Sequence, residues 1–503
     1  MLFNSYQFLL VFLPATLLIY YTLNKYSLGK TSLLIILSSS LIFYGNNNIR
    51  FLGVFIFSII INFLIGRKIQ ILKRYSQIIE AKKILILGII FNLTLLFIFK
   101  YFDFFLQNLS IFGFYLPRIN LALPIGISFY TFQQIGYLSD SFNGKTNRSN
   151  FLEYASFVSF FPQLIAGPIV FHSNFLDQIR SKKFKPFNSL YISYGLIIFL
   201  IGLFKKIMIA DTLSSKFVKP FYDFISVGNI PSISSAWIGS IAYSMQIYFD
   251  FSAYSEMAIG LGLFFGICLP VNFNSPFQSN SLIEFWEMWN ITLSQFIGEY
   301  IYKPIFGNFI KGNSRYFLNH IYALITSMTI SGLWHGANWN FILWGLIHGL
   351  ALGLNHIFKA KGILKNMPKI FKKIILLIFI NISFIIFRTS NLKLMFTVIY
   401  SLFPFKRIFS EITWELNDGA LGLGLSSYLI FFLLLIIVLY LPSTLKILGY
   451  ISRNNQILPL ESLFTRFQIN SRGILLLTIF LSMIYFLCIV FLHREAEFIY
   501  FQF

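Results

Sequence analysis

Continuous apolar stretches near the length that crosses a hydrocarbon core recur along the chain and constrain its fold more than any other feature. A membrane helix needs about 17 to 25 such residues; Tyr6 to Leu23 and Ile474 to Leu492 reach that length, and Ile84 to Phe99, Leu190 to Leu203 and Ser427 to Leu441 fall just short of it. With the shorter runs taken as tilted, broken or re-entrant, the pattern predicts about 11 to 14 membrane segments in an all-α polytopic bundle. The runs are uninterrupted rather than alternating, which argues against a β-barrel. Of the residues, 57% are hydrophobic and 11% charged, against about 25% charged in soluble domains, so lipid is the main solvent. The first apolar stretch lacks a basic n-region and a small-residue cleavage site and reads as a retained span.

The formal charge is +21, from 39 Lys and Arg against 18 Asp and Glu. Nucleic acid is one reading of such an excess, but its distribution points elsewhere. The basic residues collect in short loops: Arg67, Lys68, Lys73, Arg74, Lys82 and Lys83; Arg180, Lys182, Lys183 and Lys185; Lys359, Lys361, Lys365, Lys369, Lys372 and Lys373. That is the positive-inside pattern, and it sets these loops on the cytoplasmic side. Cys268 and Cys488 are the only cysteines and both have apolar neighbours, so neither a disulfide framework nor a thiolate metal site is indicated.

No long polar linker or internal repeat divides the chain, and residues 1–503 read as a single membrane domain. Three regions interrupt the apolar pattern. Between Leu121 and Pro168, Pro124, Gly126, Pro162, Gly167 and Pro168 free backbone groups that lipid cannot satisfy, which suits a protein-enclosed or re-entrant segment. From Gln246 to Asn308 the acidic residues Asp250, Glu256, Glu284, Glu287 and Glu299 occur with Asn290, and Ser331 to His348 holds two histidines, three tryptophans and two asparagines. Polarity inside the membrane is costly and marks the functional interior.

His335 follows the apolar run Ile321 to Ile330 within Ser331-Gly332-Leu333-Trp334-His335-Gly336, at membrane depth. A neutral imidazole there can take a proton from a hydroxyl; a histidine hydrogen-bonded between helices for packing is the competing reading. On one unbroken helix His348 falls at about 220 degrees from His335, roughly the opposite face, which favours a structural role. Asn290, in Glu284-Phe285-Trp286-Glu287-Met288-Trp289-Asn290-Ile291-Thr292-Leu293-Ser294, is suited either to orienting a carbonyl or imidazole or to a bond between helices. Asp250 and Glu256, in Tyr248 to Glu256, need partners in so apolar a run and fit a structural network or a substrate contact equally. No H-E-x-x-H, G-x-S-x-G, P-loop or dinucleotide glycine pattern occurs, which removes support from metal, hydrolase and nucleotide readings.

Several of these segments together resemble the membrane-bound O-acyltransferases, in the order found there. They are Leu123-Pro124-Ile125-Gly126-Ile127-Ser128-Phe129-Tyr130-Thr131-Phe132-Gln133, Phe161-Pro162-Gln163-Leu164-Ile165-Ala166-Gly167-Pro168-Ile169, Tyr248 to Glu256, Asn272-Phe273-Asn274-Ser275-Pro276-Phe277, Glu284 to Ser294 and Ser331 to Gly336. The resemblance covers essentially the whole chain and is to the bacterial polysaccharide branch, with its alginate and peptidoglycan O-acetyltransferase membrane subunits and teichoic acid D-alanyl transferase. It implies a funnel-shaped helical bundle in the cytoplasmic (inner) membrane, with His335 as the catalytic histidine near the membrane centre. It also implies an acyl group, acetyl foremost, taken from a cytoplasmic thioester such as acetyl-CoA and passed outward without a metal. Asn290 stands where bacterial relatives carry a second histidine, and Gly298-Glu299-Tyr300 stands where they carry Arg-Asp-Tyr.

The chain ends Phe498-Ile499-Tyr500-Phe501-Gln502-Phe503, which resembles the terminal acyl-transfer motif of these systems. There a tyrosine hydroxyl receives the acyl group and relays it to an extracytoplasmic SGNH-type transferase, which delivers it to a cell-surface polysaccharide. Lys446, Arg453, Arg466 and Arg472, opposed only by Glu461, precede the last span, so residues 494–503 are expected outside. The resemblance makes Tyr500 the acyl carrier; apart from it, Tyr500 reads as an interfacial aromatic anchor. A transporter or flippase of a lipid-linked saccharide is the rival class, though transporters often show paired, broken halves and no such symmetry is present here.

Overall fold

Lipid offers backbone N–H and C=O groups no partner, so apolar runs that enter it must close their hydrogen bonds within a helix. The computed structural model describes residues 1–24, 29–46, 48–146, 149–181, 187–307, 316–363, 365–403, 421, 424–450, 471–493 and 499. Among the described residues every regular element is helical and no strand occurs. Among the described residues six helical segments are long and apolar enough to cross a membrane: Gln7–Asn24, Ile49–Arg74, Ile78–Phe112, Ser189–Ser226, Trp339–Ala360 and Lys369–Arg388. Among the same residues four shorter apolar helices accompany them. Large apolar side chains such as Leu64, Leu87, Ile90, Leu354 and Ile375 point outward, the inverse of a soluble surface. This is an integral membrane protein, and the all-α class expected from the apolar runs is the one observed.

The chain divides into two compact units. The first comprises Met1–Leu203, Tyr254–Val271 and Gln456–Leu492. Its helices include α1 (Leu13–Asn24), α2 (Lys30–Gly45), α3 (Ile49–Arg74), α4 (Ile78–Leu96), α5 (Ile127–Asn143), α6 (Phe151–Ser159), α7 (Phe161–Leu164), α8 (His172–Arg180) and α9 (Ser189–Phe204). Buried amides join three of them: Asn62 of α3 donates to Asn92 of α4 at 3.1 Å and to Gln134 of α5 at 2.9 Å. Gly66 permits the close approach of α3 to α5, since a Cβ there would lie 2.3 Å from the Tyr137 ring. Within the Pro- and Gly-interrupted region, α5 and α6 are regular helices, and the backbone around Pro162 to Pro168 is irregular and buried. The Phe161 N–H donates to Ser40 Oγ at 3.1 Å and the Gln163 amide donates to the Phe157 carbonyl at 2.6 Å, so side chains satisfy what the broken helix leaves open. Gly126 takes φ +74° against the Leu164 carbonyl, which a Cβ would approach to 2.7 Å.

The second unit comprises Phe204–Ala253, Asn272–Asn455 and His493–Phe503. The long helix α10 (Ile233–Phe264) contributes its residues up to Ala253. The short helices α11 (Leu282–Met288) and α12 (Ile291–Ile297) follow, then α13 (Tyr316–His335), α14 (Trp339–Ala360) and α15 (Lys369–Arg388). Helices α13 and α14 form a hairpin zipped by glycines four residues apart. A Cβ on Gly345 would lie 2.3 Å from the Met328 carbonyl, and one on Gly349 would lie 2.7 Å from the Ile325 Cα. From the other side a Cβ on Gly332 would lie 2.1 Å from the Phe341 carbonyl. In lipid, where the hydrophobic effect does not bring helices together, such backbone proximity supplies the packing. Gly345→Leu is therefore expected to force the hairpin apart at a cost of about 1–3 kcal/mol or more. The midpoint of heat-induced aggregation of the purified protein should fall. Gly53→Ala, which meets nothing within 4 Å, should not lower it.

Candidate active site

The hairpin breaks where its sequence changes character. Helix α13 ends at His335, and Asn338 caps α14 by accepting the Asn340 N–H at 2.9 Å. The Asn338 side-chain amide donates to the Ser390 carbonyl at 3.1 Å and the Asn340 amide donates to the Thr389 carbonyl, fastening the turn to the end of α15. His335 is thereby held at a helix terminus and buried. Its ring is walled by Trp334 at 5.0 Å, Trp344 at 5.2 Å and Phe387 at 5.2 Å between centroids. The His335 imidazole thus occupies an aromatic chamber with its rotation restricted by rings on three sides.

The break also revises the geometry of His348. His335 and His348 lie on two helices rather than one, so the opposite-face relation does not hold. Trp344 of α14 contacts both rings, His335 at 5.2 Å and His348 at 4.7 Å. His348 Nδ1 accepts a hydrogen bond from Trp286 Nε1 at 3.3 Å, which ties α11 to the hairpin and fits a structural role.

Asn290 sits in the turn between α11 and α12. Its backbone is left-handed, at φ 43° and ψ 52°, a conformation that asparagine tolerates better than most residues with a Cβ. The segment Asn272-Phe273-Asn274 clamps this turn. Asn272 accepts from the Ile291 N–H at 3.0 Å through its carbonyl and from the Thr292 hydroxyl at 2.9 Å through its side chain, while the Asn274 N–H donates to the Met288 carbonyl at 2.9 Å. Trp289 closes the packing, edge-on to Phe273 at 5.1 Å and against Phe384 of α15 at 5.2 Å. Asn290 and His335 are both buried in one unit and both border α15, Asn290 through neighbouring Trp289 and His335 through Phe387. Among the described residues no hydrogen bond joins the two. Tyr500 lies outside the described residues.

Asp250 finds its partner on another element. Lys206 Nζ lies 2.8 Å from Asp250 Oδ1 and 2.7 Å from Asp211 Oδ1, with all three side chains buried. Lys206 belongs to a π-helical turn, Lys205–Ala210, of the kind that recurs at functional sites. Arg388, at the end of α15, lies over the rings of Tyr222 at 5.0 Å and Tyr243 at 5.9 Å. Neither cation was singled out from the sequence, although Lys205-Lys206 directly extends an apolar run and so carried a signal. Glu256 is buried within the first unit. Among the described residues no group of three or more His, Cys, Asp or Glu side chains is placed to hold a metal ion.

The sequence model of the membrane-bound O-acyltransferase family matches residues 140–399, a span that contains Asp250, Asn290 and His335. This chain belongs to the membrane-bound O-acyltransferase family. It is 41% identical to a peptidoglycan O-acetyltransferase of Helicobacter pylori over 428 residues, 78% of each chain. It is 35% identical to a protein of Azotobacter vinelandii named "probable alginate O-acetylase AlgI", across 83% of this chain and 80% of that one. Similarity extends, at 27% identity over half of this chain and 63% of the other, to a teichoic acid D-alanyltransferase of Streptococcus thermophilus. These acyltransferase relatives share no single acceptor, so what they have in common is acyl transfer in a membrane.

Proposed function

We propose that the chain moves an acetyl group from a cytoplasmic thioester, acetyl-CoA, across the inner membrane for O-acetylation of a cell-surface polysaccharide, with peptidoglycan favoured by the 41% identical relative. The observation that carries this reading is His335, held by a helix break in an aromatic chamber at the end of an otherwise apolar helix. Buried aromatic walls exclude water, which protects a thioester from hydrolysis and strengthens electrostatic interactions within the site.

His335 takes the proton from the attacking Tyr500 hydroxyl as the phenolic oxygen adds to the thioester carbonyl carbon. The carbonyl oxygen gains negative charge, and Asn290 stabilises it or orients the imidazole. The carbon–sulfur bond then breaks, and the proton on His335 passes to the departing thiolate, giving free CoA and an acetyl ester on Tyr500. A serine of an extracytoplasmic SGNH-type transferase takes the acetyl group and restores the tyrosine hydroxyl. Lysines of the basic segment joining α14 and α15, among them Lys359, Lys365 and Lys372, which with Glu284 and Glu287 line a cavity of about 630 Å³, are suited to the donor's phosphates.

The test is covalent. Membranes containing the protein, supplied with acetyl-labelled CoA, are expected to place label on the protein itself and, once the partner transferase is added, on glycan. Movement of a saccharide without any covalent label on protein or glycan would replace this reading with the transporter one.

A further inference from the structure

Lys206 has two buried carboxylates within 2.8 Å, and a buried carboxylate requires hydrogen-bond donors for its oxygens. Asp250 divides its two oxygens. Oδ1 faces Lys206 at 2.8 Å, while Oδ2 accepts the backbone N–H of Ile499 at 2.9 Å. Ile499 is itself buried, at 4% exposure, and in the sequence it immediately precedes Tyr500.

We propose that Asp250, poised by Lys206, is the docking site for the chain's own C-terminal segment, gripping it at the Ile499 amide. Asp250 is thus a positioning residue for the terminal acyl carrier, an assignment that rests on the relay role given to Tyr500. A backbone N–H is an apt handle, because it fixes the segment without depending on any side chain there. Asp211 gives Lys206 a second carboxylate at 2.7 Å, so that Asp250 is not its sole partner. The same second unit supplies a packed route towards His335. Lys205 lies 6.0 Å from the ring centre of Tyr248, Tyr248 contacts Trp289, Trp289 contacts Phe384, and one turn further along α15 Phe387 contacts His335.

Hydrogen–deuterium exchange of the full-length protein, read by mass spectrometry on the terminal peptide, tests the docking directly. In the wild type one slow amide is expected in that peptide. Asp250→Ala should speed its exchange by about ten- to hundredfold, the factor for a hydrogen bond to a charged acceptor. Asp211→Asn, which removes a charge from the same cluster without touching Ile499, should leave it slow. Ile499→Pro deletes the donor and leaves all three charged side chains intact. It should remove the slow amide and lower acetyl transfer while membrane abundance is unchanged, a comparison that stands even if Asp250→Ala fails to fold. Equal exchange in wild type and Asp250→Ala, or equal loss of protection in Asp211→Asn, would overturn the proposal. The relay reading fails separately: a terminal amide that is slow in an Asp250-dependent way, in an enzyme whose Tyr500→Phe variant stays fully active, leaves the docking standing and removes its catalytic purpose.

Discussion

His335→Ala is expected to lower acetyl transfer by about 10²- to 10⁴-fold, the range that a positioned general base contributes. The rings that contact it, those of Trp334, Trp344 and Phe387, cannot replace it, since none accepts a proton at neutral pH. Alanine also leaves a void among those rings, so His335→Gln is the sharper companion. Glutamine keeps bulk and hydrogen-bonding capacity but cannot act as a base, and should lose as much activity as alanine while accumulating in membranes like wild type. Acetylated glycan per unit of membrane protein is the measurement. Wild-type acetylation by either variant at equal abundance would show that the base is elsewhere.

The second large effect is expected at the tail. Tyr500→Phe removes a single oxygen atom and keeps the aromatic ring, so any interfacial anchoring survives and only the hydroxyl proposed to accept the acyl group is lost. Acetylation of the surface glycan should fall to the level of cells lacking the protein, and label from acetyl-CoA should no longer appear on the chain. Retained acetylation would reject the tyrosyl ester while leaving His335 untouched, because another hydroxyl would then be the acceptor of the first transfer. Tyr500→Ser gives a useful contrast, since it restores a hydroxyl on a shorter arm and tests whether reach matters beyond chemistry.

Much of the candidate site was legible because intramembrane polarity is conspicuous against an apolar background. His335 stood out at the end of an apolar run, and the structure places it buried at the end of α13. The broken, proline-containing stretch around Pro162 was equally readable, since backbone freed in a membrane must be enclosed. Other features were not. The angular relation of His335 to His348 assumed one helix, but the cap at Asn338 starts a second, and Trp344 brings both rings against one wall. The left-handed backbone of Asn290 gives that residue a conformational reason to be asparagine, alongside any role for its amide.

Asp250 shows most clearly where sequence reasoning stops. A carboxylate in an apolar run announces that it needs a partner and does not say which. Lys206 lies on a separate segment, beside another lysine at the end of an apolar run, a position that signals costly burial and names no partner. A π-helical turn and the packing of α10 bring its ammonium between two carboxylates. The sequence by itself determined the solvent, the helical class, the family and the presence of costly buried groups, because these follow from local composition and from runs read one residue at a time. The tertiary structure alone decided which groups meet: the glycine-zipped hairpin that presents His335, the clamp of Asn272 on the Asn290 turn, and the Lys206–Asp250 pair reaching Ile499. Each depends on helix faces and spacings of a few ångströms between segments far apart in the chain, and a linear pattern carries no record of such distances.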